Sequence, residues 1–308
     1  MSHLQVRRPA CTFDGVEFLW NPTNPAFSVF VNALSFWVIG LERYLVRIMK
    51  DADAYITDSA VREETRLFMQ QEAVHSKTHR RHVKALIDRY PGLQSALDAS
   101  VAQYDDLYDR HDLRYHLAYA AALEGTFTPV FGALIDHRAT LFGNGDARVA
   151  SLCLWHFCEE IEHRSSAVTV YDHVIGDPRY RLRVLPMLVL HVNRGFESLM
   201  KAFQAHVPGE ADADHYGSTP ARLLGREPNP FATIPITGRL RMLRRGIASL
   251  SPRFDHESQP IPTWADTWFA NFDQGTDMTR FYGTVVDDAT DLQHLTTNDH
   301  GPVGGRIS

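Results

Sequence analysis

Two copies of the pattern Glu-x-x-His, Glu72-Ala73-Val74-His75 and Glu160-Ile161-Glu162-His163, stand on separate helical stretches, and each follows a helix carrying a glutamate inside apolar sequence. Glu42 comes after Phe36-Trp37-Val38-Ile39-Gly40-Leu41, and Glu124 after Leu117-Ala118-Tyr119-Ala120-Ala121-Ala122-Leu123. A carboxylate in such surroundings costs several kcal/mol unless it is paired or coordinated. Residues three apart on an α-helix share a face, so Glu72 with His75, and Glu160 with His163, are each expected to offer an oxygen and a nitrogen to one metal ion. Four carboxylates would balance two divalent cations, which makes this much buried charge tolerable in a helical core.

Helix signals agree with this arrangement. Asn24-Pro25 starts a nearly all-apolar helix reaching about Lys50, and a second runs from Ser59 to Tyr90, stopped by Pro91-Gly92. A third spans Asp112 to Phe142 and closes at Gly143-Asn144-Gly145; Asp146 caps a fourth that continues to Gly176-Asp177-Pro178. A fifth apolar helix covers residues 179–206, and shorter ones are predicted near 237–249 and 263–273, before a loosely ordered last thirty residues. No β-alternating segment and no Gly-rich phosphate loop is visible. The fold class expected is all-α, a ferritin-like four-helix bundle with additional C-terminal helices, in which residues 1–206 form the bundle with its fifth helix. Residues 207–308 would add accessory helices and a tail packed on the same domain.

Helix lengths test the convergence. Glu124 lies about 18 residues before the Gly143 turn and Glu160 about 15 after it, roughly 27 and 22 Å at 1.5 Å per residue, so antiparallel packing brings them level. The first hairpin looks unequal, and helix 1 must extend or be followed by an extended segment. His156 stands four residues before Glu160 and His79 four after His75, so either could supply a further nitrogen, with His156 favoured. Glu159 and Glu162 point away from this face, either to a hydrated surface or to accept hydrogen bonds from side chains behind the ligands. The metal-ligand set expected is therefore Glu42, Glu72, His75, Glu124, His156, Glu160 and His163. Gly125 and Pro129 follow Glu124 within five residues, and a bend there either serves packing or opens a cavity beside the metals, lined by Phe36, Phe127, Phe131 and Trp155. The region from Pro208 on, including Arg253-Phe254-Asp255-His256, either covers the mouth of that cavity or serves packing.

Composition narrows the partners. With 44% hydrophobic and 22% charged residues the chain has material for a large core, and a net charge of −6 offers no stripe to neutralise phosphates, so nucleic acid is not expected. Three cysteines, Cys11, Cys153 and Cys158, argue against a disulfide scaffold and for a reducing, cytoplasmic setting. No secretory signal follows Arg7-Arg8. The apolar run Ala26–Leu41 is short for the roughly 20 residues of a membrane span and reads as a buried core helix.

The Glu, Glu-x-x-His, Glu, Glu-x-x-His order matches that of ferritin-like di-iron and di-manganese bundles. Three segments, Arg7-Arg8-Pro9 to Asp14-Gly15-Val16, Gln71-Glu72-Ala73-x-His75 and Trp155-His156-x-x-Glu159-Glu160-Ile161-Glu162-His163, resemble the bacterial "predicted metal-dependent hydrolases" over residues 6–275. With its extra histidine at His156 the ligand order is also similar to that of the di-iron p-aminobenzoate N-oxygenases. These resemblances imply a non-haem di-iron oxygenase or oxidase holding two Fe ions, with Mn or a mixed Fe/Mn pair as variants. It would use O2, an electron donor and a small organic substrate. The alternative is a two-metal hydrolase using Zn, Mn or Fe. The sequence leaves a homodimer open.

Overall fold

A computed structural model of the chain describes residues 4–209, 229–251 and 254–284. Among these residues there is helix and loop and no strand. Helix α1 (Pro25–Ala52) is capped by the Asn24 side chain, which accepts from the Phe27 amide, and α2 (Ser59–Arg89) by Asp58, which accepts from Ala60 and Val61. Between them lie a 3-10 turn, Asp53–Tyr55, and extended backbone at Ile56. Both devices that the unequal hairpin called for are therefore present: α1 runs past Lys50, and an extended link takes up the rest.

Helix α3 (Leu93–Arg110) fills a stretch the sequence reading left unassigned. Its buried Leu93, Ala96, Leu97, Ser100, Tyr104 and Leu107 recur at helical spacing, and it packs on α1. Helix α4 (Leu113–Asp136) holds Pro129 inside it. The expected single helix to Phe142 is broken at His137, after which α5 (Arg138–Phe142) follows. The fourth helix divides likewise into α6 (Ala147–Glu162) and α7 (Ser166–Val174), with His163 as the C-terminal cap of α6. A long α8 (Pro178–His206) lies across α3 and α4. Beyond residue 228 come α9 (Ile236–Ser249), which rests on α4, α10 (Thr263–Asp273), a 3-10 turn Met278–Arg280 and α11 (Phe281–Thr284). Residues 279–284, expected to be loosely ordered, thus include helix; residues 285–308 and Arg253 lie outside the described residues.

Helices α1, α2, α6 and α4 touch in a ring, α1 on α2, α2 on α6, α6 on α4 and α4 on α1. Their inward faces are almost entirely buried. By length and composition α1 with its 3-10 extension, and α4, are each able to cross a bilayer, contrary to the expectation that the first apolar run is too short. Yet 89% and 72% of their apolar windows are buried within the fold, as core helices require. The N-terminal segment closes one side, with Phe13, Val16, Phe18 and Trp20 buried and Trp20 donating from Nε1 to the Ser28 carbonyl.

Candidate metal centre

The ring of helices brings the charged residues of its four members to one level. Glu42 on α1, His75 on α2, and His156 and Glu160 on α6 present ligand atoms within 4.8 Å of one another, all buried. Glu72 on α2, Glu160 and His163 form a second such group. Glu124 on α4 joins it, its Oε2 3.7 Å from His163 Nε2. Glu160 is common to both groups. Its Oε1 lies 2.8 Å from His156 Nε2 and its Oε2 3.2 Å from His163 Nε2, so one carboxylate spans the two positions.

The grouping corrects one expected pairing. Glu72 and His75 share a helix face but not a group: His75 stands with Glu42 and His156, while Glu72 faces His163 at 3.3 Å. Three residues on a helix are about 4.5 Å along its axis, enough to separate two neighbouring ion positions. Because α2 and α6 run antiparallel, His75 is level with His156, and Glu72 with His163.

The hydrogen bonds around the centre turn specific ring atoms inward. His75 donates from Nε2 to Glu159 Oε2 at 2.8 Å, leaving Nδ1 without a partner and facing Glu160 at 3.7 Å. His163 donates from Nδ1 to Gln71 Oε1 at 3.1 Å, leaving Nε2 unpartnered among three glutamates. Both oxygens of Glu42 and both of Glu72 are likewise buried without a hydrogen-bond partner. Unpaired buried polar atoms are rare and costly, and here they converge. The donor set is carboxylate and neutral imidazole, which suits divalent transition ions, and the vacated valences point into the two groups. The residues fit a pair of metal ions.

Electrostatics agree. Burial, then the charge of Glu160, pushes Glu42, Glu72 and Glu124 well above the usual carboxylate range. Burial pushes Glu160 up too, but His163 and His156 beside it outweigh that and hold it well below the usual carboxylate range. Burial holds His75 and His79 well below the usual imidazole value, which keeps His75 neutral as ligation demands.

The sequence left open what stands behind these residues, and Gln71 and Arg7 were given no part in it. His79 lies behind His156 and is no member of either group: its Nε2 is 2.9 Å from His156 Nδ1, and its Nδ1 is 3.0 Å from Ser35 Oγ. Glu159 does point away from the metals, but it is wholly buried, bridging His75 to Arg7, whose Nη1 donates at 3.1 Å. Arg7 also donates to Glu162, which accepts from Gln71 Nε2 at 2.7 Å, so N-terminal segment, α2 and α6 are tied together beside the centre. Burial raises Glu159 to about 8 despite that guanidinium. The only sequence signal for these roles was adjacency, Gln71 before Glu72 and Glu159 before Glu160.

A cavity of about 470 Å³ opens beside Pro129, but its walls differ from those expected. They are Thr128, Pro129, Gly132 and Asp136 of α4, Ile161, Arg245, and Phe254 with the strip from Ser258 to Thr263. Phe131 and Trp155 instead pack around the histidines, Phe131 at 6.2 Å from His156 and Trp155 at 5.0 Å from His75. Phe36 turns away to Phe203, and Phe127 to Trp37. The aromatic side chains are spent on fixing imidazoles, so the cavity is left with a more polar lining.

A family profile described as "Predicted metal-dependent hydrolase" matches residues 5–232, more than half of the chain. The chain belongs to that family. Every residue of the two metal-binding groups in this predicted metal-dependent hydrolase lies inside the matched span, whereas the cavity wall from Phe254 to Thr263 lies outside it. No curated protein and no solved structure matches the chain.

Proposed function

We propose that the chain is a hydrolase working through two divalent cations, one held by Glu42, His75 and His156, the other by Glu72, Glu124 and His163, with Glu160 between them. The reading rests chiefly on the convergence of unpartnered buried donor atoms on two adjacent points, together with the family description. Bound there, a pair of divalent ions supplies an acidified water and positive charge for a developing oxyanion. The protein's part is to fix and dry the site. His75 and His163 are oriented by Glu159 and Gln71, and the ring of helices excludes bulk water. Glu124 stands one turn before Thr128 and Pro129, and Glu160 directly before Ile161, so the groups that would hold the ions adjoin residues that line the cavity.

A second reading is favoured by one observation, the ligand set itself. Four glutamates and three histidines on four helices, with two Glu-x-x-His pairs, are the arrangement of O2-activating di-iron and di-manganese carboxylate proteins. On that reading the chain is a non-haem oxygenase or oxidase, and it needs an electron donor and a small organic substrate. Metal-free protein reloaded separately with zinc, manganese and ferrous iron separates the two. Cleavage of carboxylic or phosphoric esters without O2, supported by zinc or manganese, is the expected result. Iron near two per chain, an O2-dependent optical change and no ester cleavage would sink the hydrolase.

A further inference from the structure

The outward faces of α8 and α9 carry a surface that the metal chemistry does not use. On α9 Ile236, Leu240, Leu243 and Ile247 are 64%, 59%, 51% and 60% exposed, although each is a large apolar side chain. Their spacing of four, three and four residues confines them to about 60° of arc at 100° per residue. The helix rests on α4 by its opposite side, where Ser249 is buried and Gly238 meets His137. On α8 Met187, Val189 and Leu190 are also exposed, and an apolar cavity of about 390 Å³ lies between the two helices, lined by Leu185, Leu188 and Val189 on one side and the α9 stripe on the other.

Charge says what this surface meets. Helix α9 holds Arg239, Arg241, Arg244 and Arg245 and no acidic residue; α8 holds Arg179, Arg181, Arg183, Arg194 and Lys201 against Glu197 alone. Nine cations and one acid therefore share two helices of a chain whose net charge is −6. A basic helix with one apolar stripe is built to lie in the plane of a membrane surface, apolar side chains in the acyl boundary and guanidinium groups among headgroup phosphates. A second copy docked face to face would set the exposed cations of α8 and α9 against their own copies, which disfavours self-pairing.

We propose that α8 and α9 form a docking face for an anionic lipid bilayer, on which the protein rests without crossing it. The full-length, metal-loaded protein is sedimented with vesicles of phosphatidylcholine alone or mixed with phosphatidylglycerol. Expected is co-sedimentation with the anionic vesicles, little with the neutral ones, and release by salt. The exposed positions tolerate substitution, so Leu240→Asp with Leu243→Asp, and separately Arg241→Glu with Arg244→Glu, should each weaken vesicle binding by about tenfold or more without altering the circular dichroism spectrum. Wild-type protein left in the supernatant with anionic vesicles at low salt overturns the proposal. So does undiminished binding by the leucine variant, or a dimer that this variant dissociates while vesicles bind neither protein.

Discussion

Nδ1 of His156 and Nε2 of His79 are 2.9 Å apart, and this contact fixes which nitrogen of His156 faces Glu42 and Glu160. With His156 donating from Nδ1, its Nε2 is left as a lone pair at the centre. His79 then donates from its own Nδ1 to Ser35 Oγ, and the Ser35 hydroxyl donates to His82 Nδ1 at 3.0 Å. Four side chains in a row thus hold one tautomer. Supports of this kind change metal affinity by about 10–100-fold, and a loss of that size is the expected result for His79→Ala in a competitive chelator titration. His79→Gln, able to accept the same hydrogen bond, should recover part of it.

The two groups share only Glu160, so removing their private members should separate the ions. Glu72→Ala leaves Glu42, His75, His156 and Glu160 in place and is expected to retain about one ion per chain. Glu160→Ala touches both positions and should retain almost none. Elemental analysis after gel filtration distinguishes the outcomes, and equal loss in the two variants would mean that the positions do not fill independently.

The pH dependence of stability follows from the buried acids. Burial and Glu160 raise Glu42, Glu72 and Glu124, and burial raises Glu159 to about 8. A raised acid keeps its proton in the folded chain where the unfolded chain has released it, so the unfolded state binds fewer protons and stability falls as pH rises. His75, His79 and His82, lowered by burial, act in the opposite sense, but only below their ordinary value of 6.5. Between pH 6.5 and 8 the glutamates alone set the slope. Metal-free protein is expected to melt at progressively lower temperature across this window. Metal-loaded protein should hold or gain, because cations take the place of the protons.

Gly125 has no side chain because His256 occupies that space: a Cβ there would stand 2.6 Å from His256 Cε1. Pro129, which has no amide hydrogen, leaves the Gly125 carbonyl without its usual helical donor. Gly125→Ala should push His256 and its neighbours off α4, costing about 1–3 kcal/mol in thermal unfolding. Metal content should be unchanged while KM shifts, since the cavity wall moves and the ligands do not.

Much of this architecture was legible in the sequence because its signals are local. Asn24, Asp58, Asp112 and Asp146 each cap a helix by accepting from amides two or three residues on, and such contacts need no tertiary knowledge. Glu42 and Glu124 stood out because a charge inside an apolar run demands an explanation. Helix α3 went unread although its apolar spacing is regular, since it carries no ligand and Asp98, Asp105, Asp106 and Asp109 dilute its pattern. The partnering of Glu72 with His163 was not legible, because spacing along one helix says which side chains share a face but not which neighbour stands level with them. Arg7 was beyond reach for a similar reason: its carboxylate acceptors, Glu159 and Glu162, lie 152 and 155 residues away.

The segment from Phe254 to Thr263 walls the cavity from outside the span by which the family is defined. Arg164 donates to the Glu257 carbonyl and Ser165 to its carboxylate, two bonds that fasten this strip next to His163. On the two-metal reading, the side chains that would hold the ions and those that would meet a substrate come from different stretches of the chain. A change in the strip would then alter what the cavity admits while the residues of the two groups stay as they are.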